Sequence, residues 1–233
     1  EADKAERRIL LPNIVESLTR TQIDCVCDWL QSSLDLSDAE LKRVVMRYPA
    51  MLGCSVEATL EPKLDWLQRR LDLRHAQLRK MVMWYPKLLG YSIDDNMEPK
   101  LHWLQTRLDL DDAQLRKVVG SSSVLGTSID TLESKLAWLQ TRLELSDAGL
   151  KKMVLLLPLL LGLSVEDNME PKLQWLRTRL ELDDAQLRKI VMTLPGLLGY
   201  SVEDNMAPKL AYLEREIGLS RAELRDWVVK NPS

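Results

Sequence analysis

The chain has 233 residues, a formal net charge of -3, a charged fraction of 29% and a hydrophobic fraction of 45%. This balance is that of a folded chain, and the absence of a basic excess excludes whole-chain polycationic binding, so any nucleic-acid role must come from a charged stripe. No apolar run approaches the roughly 20 residues needed to cross a bilayer, so no membrane partner is expected.

From its start the chain reads as one unit copied several times. Glu1 to Leu11 fits the tail of a missing unit, and Arg221 to Pro232 stops as another should follow, so the expectation is a segment of a longer array whose native N-terminus lies upstream of Glu1, or an array whose caps are irregular. Between these ends Trp29, Trp66, Trp103, Trp138, Trp175 and Tyr212 share one position at spacings of 37, 37, 35, 37 and 37. Pro12, Pro49, Pro86, Pro158, Pro195 and Pro232 close successive units, and Pro62, Pro99, Pro171 and Pro208 are read as opening the first helix of each. The array divides into a partial unit 1–12 and units at about 13–49, 50–86, 87–122, 123–158, 159–195 and 196–232.

Within a unit, Leu60, Leu64, Leu67 and Leu71 recur at helical spacing and predict one buried face. A short turn follows, and Ser37 with Glu40, Asp111 with Gln114, Asp183 with Gln186 and Ser220 with Glu223 have capping-box spacing for a second helix. Leu78, Met81, Val82 and Tyr85 give that helix its apolar stripe until a proline stops it, and Ser55, Ser92, Ser128, Ser164 and Ser201 are caps for what comes next. No stretch alternates with a strand period. The fold class is therefore all-α, a right- or left-handed α-solenoid of helix pairs about 37 residues each. The third full unit departs from its neighbours: GSSSVLGTS from Gly120 to Ser128 lacks the proline, and Ser134 replaces the next one, which predicts a shortened second helix and either a hinge or a decayed repeat that still stacks.

Three cation ladders carry the functional reading. Lys63, Lys100, Lys135, Lys172 and Lys209 follow the opening proline, where a cation in the first helical turn opposes the macrodipole; they are candidate phosphate contacts, or partners of Glu61, Glu98, Glu133 and Glu170. Arg70, Arg107, Arg142 and Arg179 lie seven residues later on the same face with the Trp between, a stripe that could hold single-stranded nucleic acid or pack one repeat on the next. On the second helix Lys42 and Arg43, Arg79 and Lys80, Arg116 and Lys117, Lys151 and Lys152, and Arg188 and Lys189 place at least one cation of each pair in solvent, with Lys80, Lys117, Lys152 and Lys189 as candidate phosphate contacts. Cys25, Cys27 and Cys54 have no metal-site spacing and are expected as small buried hydrophobes; His75 and His102 are expected on the surface. No P-loop, HExxH or nucleophile elbow occurs, so neither catalysis, metal nor cofactor is expected.

The unit PxLLxxSxExxxxPKLxWLxxxLxLSxxxLxxxVxxxP, clearest from Pro49 to Tyr85 and from Pro158 to Leu194, resembles the mTERF motif of the mitochondrial transcription termination factor family over roughly Pro12 to Pro232. Tetratricopeptide units, about 34 residues long, carry a different pattern. The resemblance implies a superhelix of repeats with two helices and a short third one, and a concave basic face gripping nucleic acid, duplex DNA first and RNA second. It also implies work in a mitochondrion or chloroplast, in transcription termination or initiation or in RNA maturation. A protein-interaction scaffold on the same solenoid, or a consensus-like array without native activity, is the alternative.

Overall fold

The computed structural model describes residues 18–230. The partial unit at Glu1 to Leu11, Pro12 and Pro232 lie outside the described residues, among which there are twelve α-helices and no strand. The helices are α1 (Arg20–Leu34), α2 (Asp38–Arg47), α3 (Glu61–Arg70), α4 (His75–Trp84), α5 (Glu98–Leu108), α6 (Asp112–Gly120), α7 (Ile129–Leu143), α8 (Asp147–Leu156), α9 (Glu170–Leu180), α10 (Asp184–Thr193), α11 (Ala207–Glu216) and α12 (Arg221–Lys230). Odd-numbered helices are the first of each repeat and even-numbered ones the second. The chain divides into two compact units, Glu1–His102 and Trp103–Ser233.

In the first unit the core is built by α1 to α4 and the turn before α3: Leu30, Leu34, Val44, Leu60, Leu67 and Val82 are all fully buried. Leu60, Leu64, Leu67 and Leu71 are at most 5% exposed, as their spacing predicts, and Leu78, Met81 and Val82 complete the opposing stripe. In the second unit Leu136 and Leu139 of α7, Leu150 and Met153 of α8, Leu173 of α9 and Ile190 of α10 do the same. Four second helices, α2, α4, α8 and α10, end two residues before a proline: the intervening Tyr48, Tyr85, Leu157 and Leu194 adopt φ of -129° to -144° with ψ of 72° to 76°, outside the helical region that a following proline disfavours. A 3-10 turn follows, Pro49–Gly53, Pro86–Gly90, Pro158–Gly162 or Pro195–Gly199, and buries Leu52, Leu88 and Leu89, Leu160 and Leu161, and Leu198.

The opening prolines stand elsewhere than expected. Helical structure starts upstream, at Ser55, Ser92, Ser164 and Ser201, whose hydroxyls each accept the backbone N–H three residues on. The first turn is π-helical: the N–H groups of Leu60, Met97, Met169 and Met206 donate to the carbonyls of Ser55, Ser92, Ser164 and Ser201, five residues back. At Ser128 and Thr19 the corresponding bonds reach only four residues, from Leu132 and Ile23, and α7 and α1 run straight for 15 residues. The cause is a count. Eight residues separate the capping serine from the PKL lysine in the four π-turn copies, whereas seven separate Ser128 from Lys135. A single extra residue in a helix is accommodated as a π-bulge. Pro62, Pro99, Pro171 and Pro208 fall just after that wide turn, where the hydrogen-bond ladder changes register and a missing N–H costs least. The lysines are thus well inside the helical run, and no macrodipole rule is broken.

The departure at Gly120 to Ser128 stacks like the other repeats of its unit. The second helix is nine residues long instead of ten, the 3-10 turn shrinks to Val124–Gly126, and the buried Ser122 hydroxyl donates to the Val118 carbonyl at 2.6 Å. Val124 and Leu125 remain buried. A further column emerges where the first helix ends: Asp35, Asp72, Asp109, Glu144 and Glu181 all adopt φ of 46° to 52°, the left-handed region, and Gly218 takes the same place with φ 76°. Acids there bear a steric cost that glycine avoids.

Candidate nucleic-acid interface

The PKL lysines point into the protein. Lys63 Nζ donates to the Leu89 carbonyl at 2.8 Å, Lys135 to that of Leu161 at 2.6 Å, and Lys172 to that of Leu198 at 2.8 Å, in every case 26 residues further on. The acceptor is always the second leucine of the next repeat's PxLLG turn. Asn96 Oδ1 accepts from Lys100 at 3.1 Å and Asn168 Oδ1 from Lys172 at 3.2 Å. Lys100 also stands 5.9 Å over the Tyr91 ring and the exposed Lys209 5.9 Å over that of Tyr200. Lys100 and Lys135 are only 5% and 7% exposed, and burial pushes the ammonium groups of Lys63, Lys100, Lys135 and Lys172 below the ordinary lysine value. None of the glutamates named as alternative partners receives them; carbonyls and asparagines do.

The arginine ladder is likewise internal. Arg70 Nε donates to both carboxylate oxygens of Glu98 at 2.8 and 3.1 Å, Arg107 Nε to both of Glu133 at 2.9 Å, and Arg142 Nε to Glu170 at 2.8 Å. These acids precede the proline position of the following repeat. Ala207 stands where that acid should be in the last repeat, and Arg179 turns instead to Glu214, at 2.9 Å through Nη1. The guanidinium holds the Glu214 carboxyl below the usual range. All four arginines keep side-chain exposures of 20 to 23%.

On the second helices three of the five pairs of adjacent cations split, while Lys42 and Arg43 are both exposed. The first member turns to an acid of the preceding repeat: Arg79 to Glu40 at 2.6 Å, Lys151 to Asp109 and Arg188 to Glu144. Two of those acids belong to the left-handed column, so the pairing offsets the conformational cost of keeping an acid there. The second member, Lys80, Lys117, Lys152 or Lys189, is exposed, and among the described residues no hydrogen bond or ion pair engages it. Arg43 is the equivalent residue of α2 and is exposed likewise; Asp226 stands in this place on α12. One exposed, unengaged cation at this position recurs in five successive repeats, with Lys42 and Lys209 also exposed at other ladder positions.

The tryptophans of the repeat column are half-buried, and Tyr212 is 56% exposed. His102 is exposed, and His75, also exposed, lies 3.0 Å from the Ser33 carbonyl. The cysteines depart from expectation: Cys25 is exposed and Cys27 and Cys54 are half-buried, because α1 presents its Cys25 edge to solvent while Val26 and Leu30 face the core. The sequence reading missed the aromatic residue beside the free cation of α4: Trp84, one turn after Lys80, is 44% exposed. Its signal was available, since the same position holds Arg47, Ser121, Leu156 and Thr193 in other copies and so has no packing duty that demands a ring.

Comparison with curated proteins returns no match. The mTERF family model matches residues 11–233. That span contains each of the repeats described above, with their proline-closed second helices, PxLLG turns and lysine clamps, and the chain belongs to the mTERF family.

Proposed function

We propose that this chain is a non-catalytic nucleic-acid-binding repeat protein that grips the sugar-phosphate backbone through its second helices. The family is one of non-enzymatic repeat proteins whose membership suggests nucleic-acid binding. The observation that carries the residue assignment is the set Lys80, Lys117, Lys152 and Lys189, with Arg43: each is exposed and unengaged among the described residues, whereas Lys63, Lys135, Lys172, the four arginines of the first helices and Arg79, Lys151 and Arg188 are held by acceptors within the protein. Phosphate contact is accordingly assigned to this row, not to Lys63, Lys100, Lys135 and Lys172 or to Arg70, Arg107, Arg142 and Arg179, whose head groups are occupied within the protein. The negative net charge is compatible with this arrangement, since the same helix position stays open to solvent in successive repeats while acids are spent on pairing. Duplex DNA is the first candidate ligand and RNA the second, and family members are typically organellar. We place the protein in a mitochondrion or chloroplast, acting in transcription termination or initiation or in RNA maturation.

A salt titration tests this. Binding of the purified chain to labelled duplex DNA and RNA should weaken with added salt at a log–log slope of about -4 on duplex if four or five cations neutralise phosphates. Replacing Lys80, Lys117, Lys152 and Lys189 together by Gln should flatten the slope by about 3.6. A slope unmoved by that variant would remove the row from the interface.

A further inference from the structure

We infer that the first unit carries a nucleotide-stacking site, in which Trp84 holds one unpaired base while Arg43, Arg47, Lys80 and Lys87 hold the flanking phosphates. This rests on the nucleic-acid reading above and adds to it a preference for a strand with an unpaired base.

The side chains assemble at the C-terminal ends of α2 and α4. Lys80 and Trp84 are one turn apart on the same exposed face of α4, and Lys87 follows on the turn Pro86–Gly90, exposed and unengaged. Arg47 reaches from the end of α2 and donates through Nη1 to the carbonyls of Met83 and Trp84 at 3.0 and 3.1 Å, which fixes a guanidinium beside the indole's own backbone. Arg43 lies one turn before Arg47. No acid interrupts this set: from Leu41 to Tyr91 the acids are Glu57, Glu61, Asp65 and Asp72, all between the PxLLG turn and the end of the first helix.

The indole is also preoriented. Its centroid lies 6.2 Å from that of Tyr85 at an interplanar angle of 50°, and the Tyr85 hydroxyl shares a 2.7 Å hydrogen bond with that of Tyr91. The Tyr85 ring, tied by that hydrogen bond, thus stands tilted beside the indole, while 44% of Trp84 remains open. A rigid, half-open aromatic face among cations that have no carboxylates to satisfy them is the arrangement that a single-stranded backbone with a splayed base requires. The equivalent position in the second unit holds Ser121, Leu156 and Thr193, none of which offers a ring.

Fluorescence anisotropy of the full chain with a mixed-sequence single-stranded RNA, the same sequence as single-stranded DNA, and a DNA duplex tests the assignment. Trp84→Ala should weaken binding to both single strands about tenfold and to the duplex less than twofold, with Trp84→Phe close to the parent. An abasic strand of equal length should bind parent and Trp84→Ala equally. Equal losses on single strand and duplex, or no loss on either, overturn the stacking site alone. Parent protein that binds none of the probes at low salt overturns the nucleic-acid reading and this inference with it.

Discussion

Lys135 and Lys152 sit on consecutive helices, α7 and α8, each in a ladder that recurs through the array, yet they live in opposite environments. The first is 7% exposed with its ammonium on the Leu161 carbonyl; the second is exposed and unengaged. Residue type and periodicity are the same for both rows. What separates them is whether an acceptor of the next repeat lies within reach. In the first-helix row Lys63, Lys135 and Lys172 close on the PxLLG turn and become bonds between neighbouring repeats; the second-helix row meets no acceptor and is left to the solvent. Charge in a repeat protein therefore reports on function only after the contacts between repeats have been subtracted.

The strongest test of this contrast is a pair of substitutions. Lys135→Met should lower stability by about 2 kcal/mol, because it removes a charged hydrogen bond and strands a buried carbonyl, while Lys152→Met should change stability by less than about 0.5 kcal/mol. Chemical denaturation checks both, and equal losses would abolish the distinction between the rows. The pH dependence sharpens it. Burial holds the Lys135 ammonium below its ordinary 10.5, so between the lowered value and 10.5 the folded chain has released a proton that the unfolded chain still binds, and the contribution of this group to stability rises with pH. The gap between parent and Lys135→Met should accordingly widen as pH is raised toward 10.5.

A smaller effect is expected at the arginine clasp. Glu170→Ala should cost about 1 kcal/mol, since Arg142 is largely covered and would lose its carboxylate. The last repeat shows how it can be recovered. There Ala207 leaves Arg179 to find Glu214, and the residue equivalent to Glu214 for Arg142 is Arg177. The double variant Glu170→Ala, Arg177→Glu should regain part of the loss, and a double variant no more stable than the single one would show that the clasp is set by the preceding acid alone. Smallest of all, Glu181→Gly should stabilise by no more than about 1 kcal/mol: it relieves a left-handed φ of 52° at the expense of a loose 3.9 Å pair with Arg221.

Much of the fold was legible because the signals are local. The closing prolines Pro49, Pro86, Pro158 and Pro195, the capping boxes at Ser37, Asp111 and Asp183, and the leucine stripe of α3 each lie within a few residues and stand as read. The fate of the lysine and arginine ladders was not legible, since the partner of Lys63 is a carbonyl 26 residues away whose direction depends on how two repeats stack. Side chains announce themselves in a sequence, whereas backbone acceptors are present at every residue and carry no mark. The start of the first helix was misplaced for a different reason. Pro62 is a strong N1 signal, and it outweighed the serine seven residues earlier that caps the true beginning. The split of the second-helix pairs was half legible: adjacency ensured that one member faced solvent, but only the geometry chose Lys80 over Arg79.

The π-helical turn after each capping serine has a consequence for how such an array can change. In most of a helix a gained or lost residue swings everything beyond it by 100° and moves a buried face into water. Here the eight-residue and seven-residue copies both deliver their lysine to the same carbonyl of the next turn, as Lys172 and Lys135 do. The wide turn acts as an expansion joint. A residue gained or lost there leaves the clamp downstream in phase, so a repeat tolerates that change in length without losing its bond to the next.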